Sequence, residues 1–114
     1  MSVIDTLLTA AYEDTQLLIK NNELGDDFSI PRDVEFVLRV REKEKAETIS
    51  SFVQDNQYGV PHIEEAENDF RVVVTISMPI TQQVLCSVSG LMGCLSEIFG
   101  AEYDGWGCVI RRRT

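Results

Sequence analysis

The sequence predicts an α+β fold, and three observations carry that prediction. Residues 34–41 and 70–77 alternate apolar and polar side chains with the two-residue period of half-buried strands. Residues 4–20, 43–56 and 82–99 place apolar side chains at helical spacing. The two kinds of segment succeed each other without an internal repeat or a low-complexity linker. With 114 residues, 44% hydrophobic and 25% charged, the chain is sized and composed for one domain over residues 1–114.

The first helix, within residues 1–22, carries Ile4, Leu7, Leu8, Ala11, Thr15, Leu18 and Ile19 as its apolar stripe and ends at Asn21-Asn22. A polar loop, Glu23–Asp33, leads into the first strand. There Val34, Phe36, Leu38 and Val40 face one way, and Glu35, Val37, Arg39 and Arg41 the other. The second helix turns Ala46, Ile49, Phe52 and Val53 inward, and Gly59 and Pro61 punctuate the turn after it. A short strand is expected over 60–64, then an acidic turn, then the strongest strand, with Phe70, Val72, Val74 and Ile76 on one face. Pro79 stops that strand. Thr81 can cap the third helix and Gly100 ends it. A last strand is expected over 106–112.

Behind the leading helix the order is βαββαβ over residues 34–112. This is the ferredoxin-like split-βαβ sandwich, with a four-stranded antiparallel sheet in the order 4-1-3-2. Right-handed crossovers put the two later helices on one sheet face. The other face is expected to show Val37, Val73 and Val109, with Arg39, Arg71 and Thr75 around them; the leading helix is the expected cover, and a partner protein is the alternative.

The net charge of −9 argues against nucleic acid as a direct partner and against an anionic membrane surface. The charge is uneven: residues 1–70 hold 16 acids and 6 bases, residues 71–114 hold 3 and 4. No stretch is apolar for long enough to span a membrane, and the N-terminus lacks a secretory pattern. Cys86, Cys94 and Cys108 form no CxxC pair, and there is one histidine, His62. These features fit small thiols in a reducing cytoplasm, with no metal site and no cofactor. His62 and Cys86 lack the context of a base or a nucleophile, so no catalytic residue is expected.

Two acidic segments are candidates for docking a basic protein partner: Asp26 and Asp27 in the first loop, and Glu64, Glu65, Glu67 and Asp69 around the turn. Their spacing does not match a calcium loop. They are expected to meet at one end of the sheet, with the basic tail Arg111–Arg113 beside them.

The most unusual segment is Tyr103-Asp104-Gly105-Trp106-Gly107, where two glycines flank the single tryptophan. Asp104-Gly105 invites a bend, and the glycines leave a bare strip of backbone. Trp106 either anchors the last strand to the helices or contributes to an interface. This block, preceded by the 82–99 helix and Phe99-Gly100, resembles the C-terminal signature of the ribonuclease E inhibitor family, regulator of ribonuclease E activity B. The remaining elements follow that family's order. The resemblance implies a cytoplasmic bacterial protein with no catalysis of its own. It also implies binding to the C-terminal scaffold region of ribonuclease E, a disordered segment with arginine-rich stretches, and thereby restraint of RNA decay. An acidic domain suits such a partner, since opposite charge speeds encounter and fixes register. A different class stays open on fold analogy: a small-molecule sensor or regulatory dimer domain. An RNA-recognition domain shares the element order, but the central strands lack its exposed aromatics. The oligomeric state is not legible in the sequence.

Overall fold

The computed structural model describes residues 2–112, so Arg113 lies outside the described residues. The elements run α1 (Val3–Glu23), β1 (Arg32–Val40), α2 (Lys43–Asp55), β2 (Val60–Glu65), β3 (Phe70–Met78), α3 (Gln82–Phe99) and β4 (Glu102–Gly107). The fold is α+β, with three helices and an open four-stranded antiparallel sheet in the order β2-β3-β1-β4.

The strand alternation decides which side is buried. Val34, Phe36, Leu38 and Val40 of β1 and Val72 and Val74 of β3 point toward α2 and α3. There they meet Ala46, Ile49 and Val53 from α2 and Leu85, Met92 and Leu95 from α3. Gly100, at φ 66°, supplies the left-handed residue that closes α3.

Three expectations about placement are corrected. First, the last strand spans Glu102–Gly107 and not 106–112, so the Tyr-Asp-Gly-Trp-Gly block is itself the strand. Phe36 pairs with Trp106 and Leu38 with Tyr103, so Asp104 and Gly105 together oppose the single residue Val37. Gly105, at φ 88°, absorbs this bulge. The extra residue resets the alternation, so Tyr103 and Trp106 both pack on the helix side.

Second, α1 does not cover the far sheet face; it lies against α3 on the helix side. Its buried residues are Ala10, Asp14 and Leu18, whereas Ile4 and Leu8 of the expected stripe are about two-thirds exposed. Close approach decided the contact. Leu7 sits over Gly90 and Thr6 over Gly93, where α3 has no side chain to hold α1 away.

Third, the two acidic segments lie at opposite ends of the sheet. Arg32 pairs with Met78 and Val40 with Phe70. The loop before β1 and the turn before β3 are therefore separated by the length of a nine-residue strand, roughly 26 Å at ~3.3 Å per residue. Residues 111 and 112 join the first loop, where Asp27 N donates to Arg111 O and Arg112 Nε donates to Leu24 O.

Candidate functional site

Among the described residues, the sheet face opposite the helices is the part of the molecule that no element covers. The register builds it row by row. One row across the strands reads Glu64, Arg71, Arg39, Glu102. The next reads His62, Val73, Val37 and then the bulge Asp104-Gly105, and a third reads Val60, Thr75, Glu35, Gly107. Two valines thus form the centre of this face, Val37 half-buried and Val73 buried beneath its neighbours, and the rim carries four carboxylates, Glu35, Glu64, Glu102 and Asp104. Glu35, Val37, Glu64, Val73, Asp104, Gly105, Trp106 and Gly107 line a shallow groove of about 420 Å³ here.

Two arginines on this face stand opposite each other across β1 and β3, an arrangement that costs stability unless carboxylates neutralise it. Arg39 is neutralised thoroughly. Its Nε donates to Asp104 Oδ2 at 3.0 Å, its Nη2 donates to Glu102, and its Nη1 lies 3.7 Å from Asp69. The hydrogen bond and charge of Asp104, then the charge of Glu102, raise the guanidinium pKa further above its ordinary value. Arg71 stands opposite Glu64 in the register. Glu35, Glu64, Asp69, Glu102 and Asp104 outnumber the two cations, so the face keeps a net negative charge. His62 Nε2 lies 3.3 Å from Glu64.

The glycines matter to the shape of this face. A Cβ built on Gly105 or Gly107 would meet nothing within 4 Å. The strip of backbone between Glu35 and the β4 edge is therefore bare, and an extended segment can approach it closely.

The docking candidates separate into three groups. Glu64 and Asp104 come together with Gly105, Trp106 and Gly107 around the groove. Glu65, Glu67 and Asp69 occupy the turn beside it; Glu65 and Glu67 are exposed and Asp69 is partly occupied by Arg39. Asp26 and Asp27 leave the group. Asp26 accepts from Arg32 Nη1 at 2.7 and 2.9 Å, and both side chains are fully buried. The Arg32 fork also donates to the carbonyls of Ile30, Asp27 and Val109. Asp27 Oδ1 accepts from Ser29 N and Oγ. These two aspartates shape the loop that joins α1 to β1. In the sequence, an Asp-Asp pair with an arginine a few positions on looks the same whether it is a buried fork or a surface patch.

On the other side of β4, Trp106 takes the first of its two alternatives and acts as an anchor. Its Nε1 donates to Asp14 Oδ1 at 3.0 Å, tying β4 to α1. Asp14 is 3% exposed, and its Oδ2 has no hydrogen-bond partner among the described residues. Burial raises its pKa above the ordinary carboxylate value, against the lowering effect of Ser89 and Trp106. Tyr103 completes the cluster, its hydroxyl 2.7 Å from Ser89 Oγ, and burial pushes its pKa upward. Burial also raises the Cys86 and Cys108 thiols, which keeps them in the less reactive neutral form.

Among the described residues, no group of three His, Cys, Asp or Glu side chains is placed to hold a metal, and no helix is long and apolar enough to cross a membrane.

Fold and face together define a small α+β protein with one solvent-open, charged sheet surface, the form of a binding module. The chain belongs to the family described as regulator of ribonuclease activity B, whose family model matches residues 11–108. That match takes in β4 with its tryptophan and the C-terminal half of α1. The family consists of regulators of ribonuclease activity and is not a catalytic one, which implies a protein partner. No curated protein matches the chain.

Proposed function

We propose that the chain binds the C-terminal scaffold region of ribonuclease E through its open sheet face, and thereby modulates RNA decay in a bacterial cytoplasm. In this reading the chain is one ferredoxin-like domain, and the partner contributes an extended arginine-rich segment. The observation that carries the proposal is the composition of the groove. Glu35, Glu64 and Asp104 ring Val37 and Val73 beside a backbone strip without side chains. Arginine suits such a surface, because its fork pairs with carboxylates in a fixed geometry while its stem can lie over the half-buried Val37. Arg39 sets the selectivity. It already occupies Asp104 and Glu102, so an incoming arginine competes for those carboxylates and meets Glu35, which is exposed, and Glu64, which among the described residues has only His62, at 3.3 Å, as an ion-pair partner.

The test is a titration of an arginine-rich scaffold peptide against the wild type and against the double variant Glu35→Lys/Glu64→Lys. Exposed ion pairs contribute up to about 1 kcal/mol each, and reversal adds repulsion to the loss. The double variant is expected to bind at least tenfold more weakly, a difference of about 1.4 kcal/mol, with a shallower dependence on salt. Equal affinity for both proteins excludes this face as the docking surface.

A further inference from the structure

The helix side of the molecule carries a second surface, of opposite character. In a chain of net charge −9, α3 has no Asp, Glu, Lys, Arg or His from Gln82 to Ser96. On α1, the residues at 4, 8, 11, 12, 15 and 19 lie on one arc of the helix, and none of them is charged. Ile4, Leu8 and Tyr12 follow one another at four-residue spacing and are 69%, 65% and 67% exposed. Leu7, packed over Gly90, carries this arc onto α3, whose next outward positions by helical spacing are Gln83, Ser87 and Cys94.

Leu7 and Ile19 add partly exposed surface on the same side, 36% and 49%. Contiguous exposed apolar side chains mark an interaction surface, and depletion of charge is the compositional mark of an interface core.

We infer that this face pairs with a second copy of the chain, α1 packing antiparallel on α1 about a two-fold axis near Tyr12. Charge selects this occupant. An arginine-rich segment finds no carboxylate on the arc. Two molecules of net charge −9 repel wherever their acidic faces meet, and the α1–α3 face is where they can approach without placing like charges opposite each other. The arc is also self-complementary. With Tyr12 on the axis, Ile4 meets the far end of the partner helix near Ile19, and Asp5 comes close to the partner's Lys20. Such a contact is isologous and closes at two copies. It leaves the open sheet face free on both, so it stands or falls independently of the docking proposal.

The test is sedimentation equilibrium over about 1–300 μM, the range in which a weak-to-moderate dimer titrates. The wild type is expected to be dimeric at the upper end. Tyr12→Glu and Tyr12→Lys are each expected to weaken the dimer about thirtyfold or more, as loss of a central tyrosine does. An equimolar mixture of the two variants is expected to restore it. Tyr12 is largely solvent-exposed, so both variants should keep the circular dichroism of the wild type, which separates lost pairing from lost folding. A wild type that is monomeric throughout overturns the inference. So does a dimer unaffected by either variant, or a mixture that fails to pair.

Discussion

Trp106→Phe probes the strongest link between the family's signature segment and the rest of the fold. The indole Nε1 is the donor to Asp14 Oδ1, and the other carboxylate oxygen has no partner among the described residues. Removing the indole N–H leaves a carboxylate that is 3% exposed without its bond to the tryptophan position. A hydrogen bond to a charged group contributes about 1.5–3 kcal/mol, and stranding a buried acceptor incurs its full desolvation cost. The smaller ring adds a packing loss of ~1 kcal/mol. The expected total is about 3 kcal/mol, which lowers the melting temperature of a protein this size by on the order of 10–20 °C. The assay is thermal unfolding followed by circular dichroism, since the substitution removes the only tryptophan. The decisive comparison is a double-mutant cycle with Asp14→Leu. Replacing both partners by apolar groups removes the stranded charge, so Trp106→Phe should cost about 1 kcal/mol in the Asp14→Leu background. Equal cost in both backgrounds would mean that the Trp106–Asp14 bond carries no energy of its own, and the link would be one of packing alone.

Two further predictions concern the same framework. Asp14 has a folded-state pKa raised above 3.8 by burial. Below that value both folded and unfolded states hold the proton and no penalty arises. As pH rises through the raised pKa, the folded state must ionise a buried group and stability falls. Asp14→Asn keeps an acceptor for Trp106 and removes the charge, so its melting temperature relative to the wild type should rise as pH is raised from about 4 through the elevated pKa; a constant difference contradicts this. At the other end of the sheet, Asp26→Ala strands the buried Arg32 guanidinium and should cost about 3–5 kcal/mol in urea unfolding. A loss of the size seen at surface aspartates would mean that Arg32 finds water there.

Much of the architecture is written in side-chain period. The β1 and β3 alternations name their buried rows correctly because a sheet face is set by a two-residue repeat that sequence displays directly. The α2 stripe is read from the 3.6-residue repeat for the same reason. On α3 the same repeat points to Val84, Val88, Leu91, Leu95 and Ile98, but the buried face is turned to Leu85, Ser89, Met92 and Leu95, and Val84 and Ile98 are exposed. What the period does not encode is which surface an amphipathic helix uses. The long apolar arc of α1 points to Ile4 and Leu8 as core, yet the buried residues of the helix are Ala10, Asp14 and Leu18, and Leu7 and Thr6 lie over α3. The small-residue stripe Cys86, Ser89, Gly90, Gly93 and Cys94 does mark α3 in the sequence as a close-packing face, and Gly90 and Gly93 take Leu7 and Thr6; which helix fills it is not encoded. The bulge at Asp104-Gly105 hid the direction of Trp106 and Tyr103 in a similar way, since one extra residue inverts an alternation. The acidic patch was misplaced by topology. Loop and turn are both acidic, but an antiparallel pairing of β1 with β3 puts the entrance to one strand beside the exit from the other. Asp26 is taken up by Arg32, a partner that only folding brings into a buried fork. Glu64 and Asp104, from segments 40 positions apart in sequence, meet around one groove because β2 and β4 form the two edges of the same four-stranded sheet.

Whether the partner lies in this groove is tested most directly by backbone amide shifts on titration with an arginine-rich peptide of the ribonuclease E scaffold. Perturbations should centre on Glu35, Val37, Glu64, Val73 and residues 104–107, and fade as salt is raised. Perturbations confined to α1 and α3, with the sheet face silent, would place the partner elsewhere and end the docking proposal.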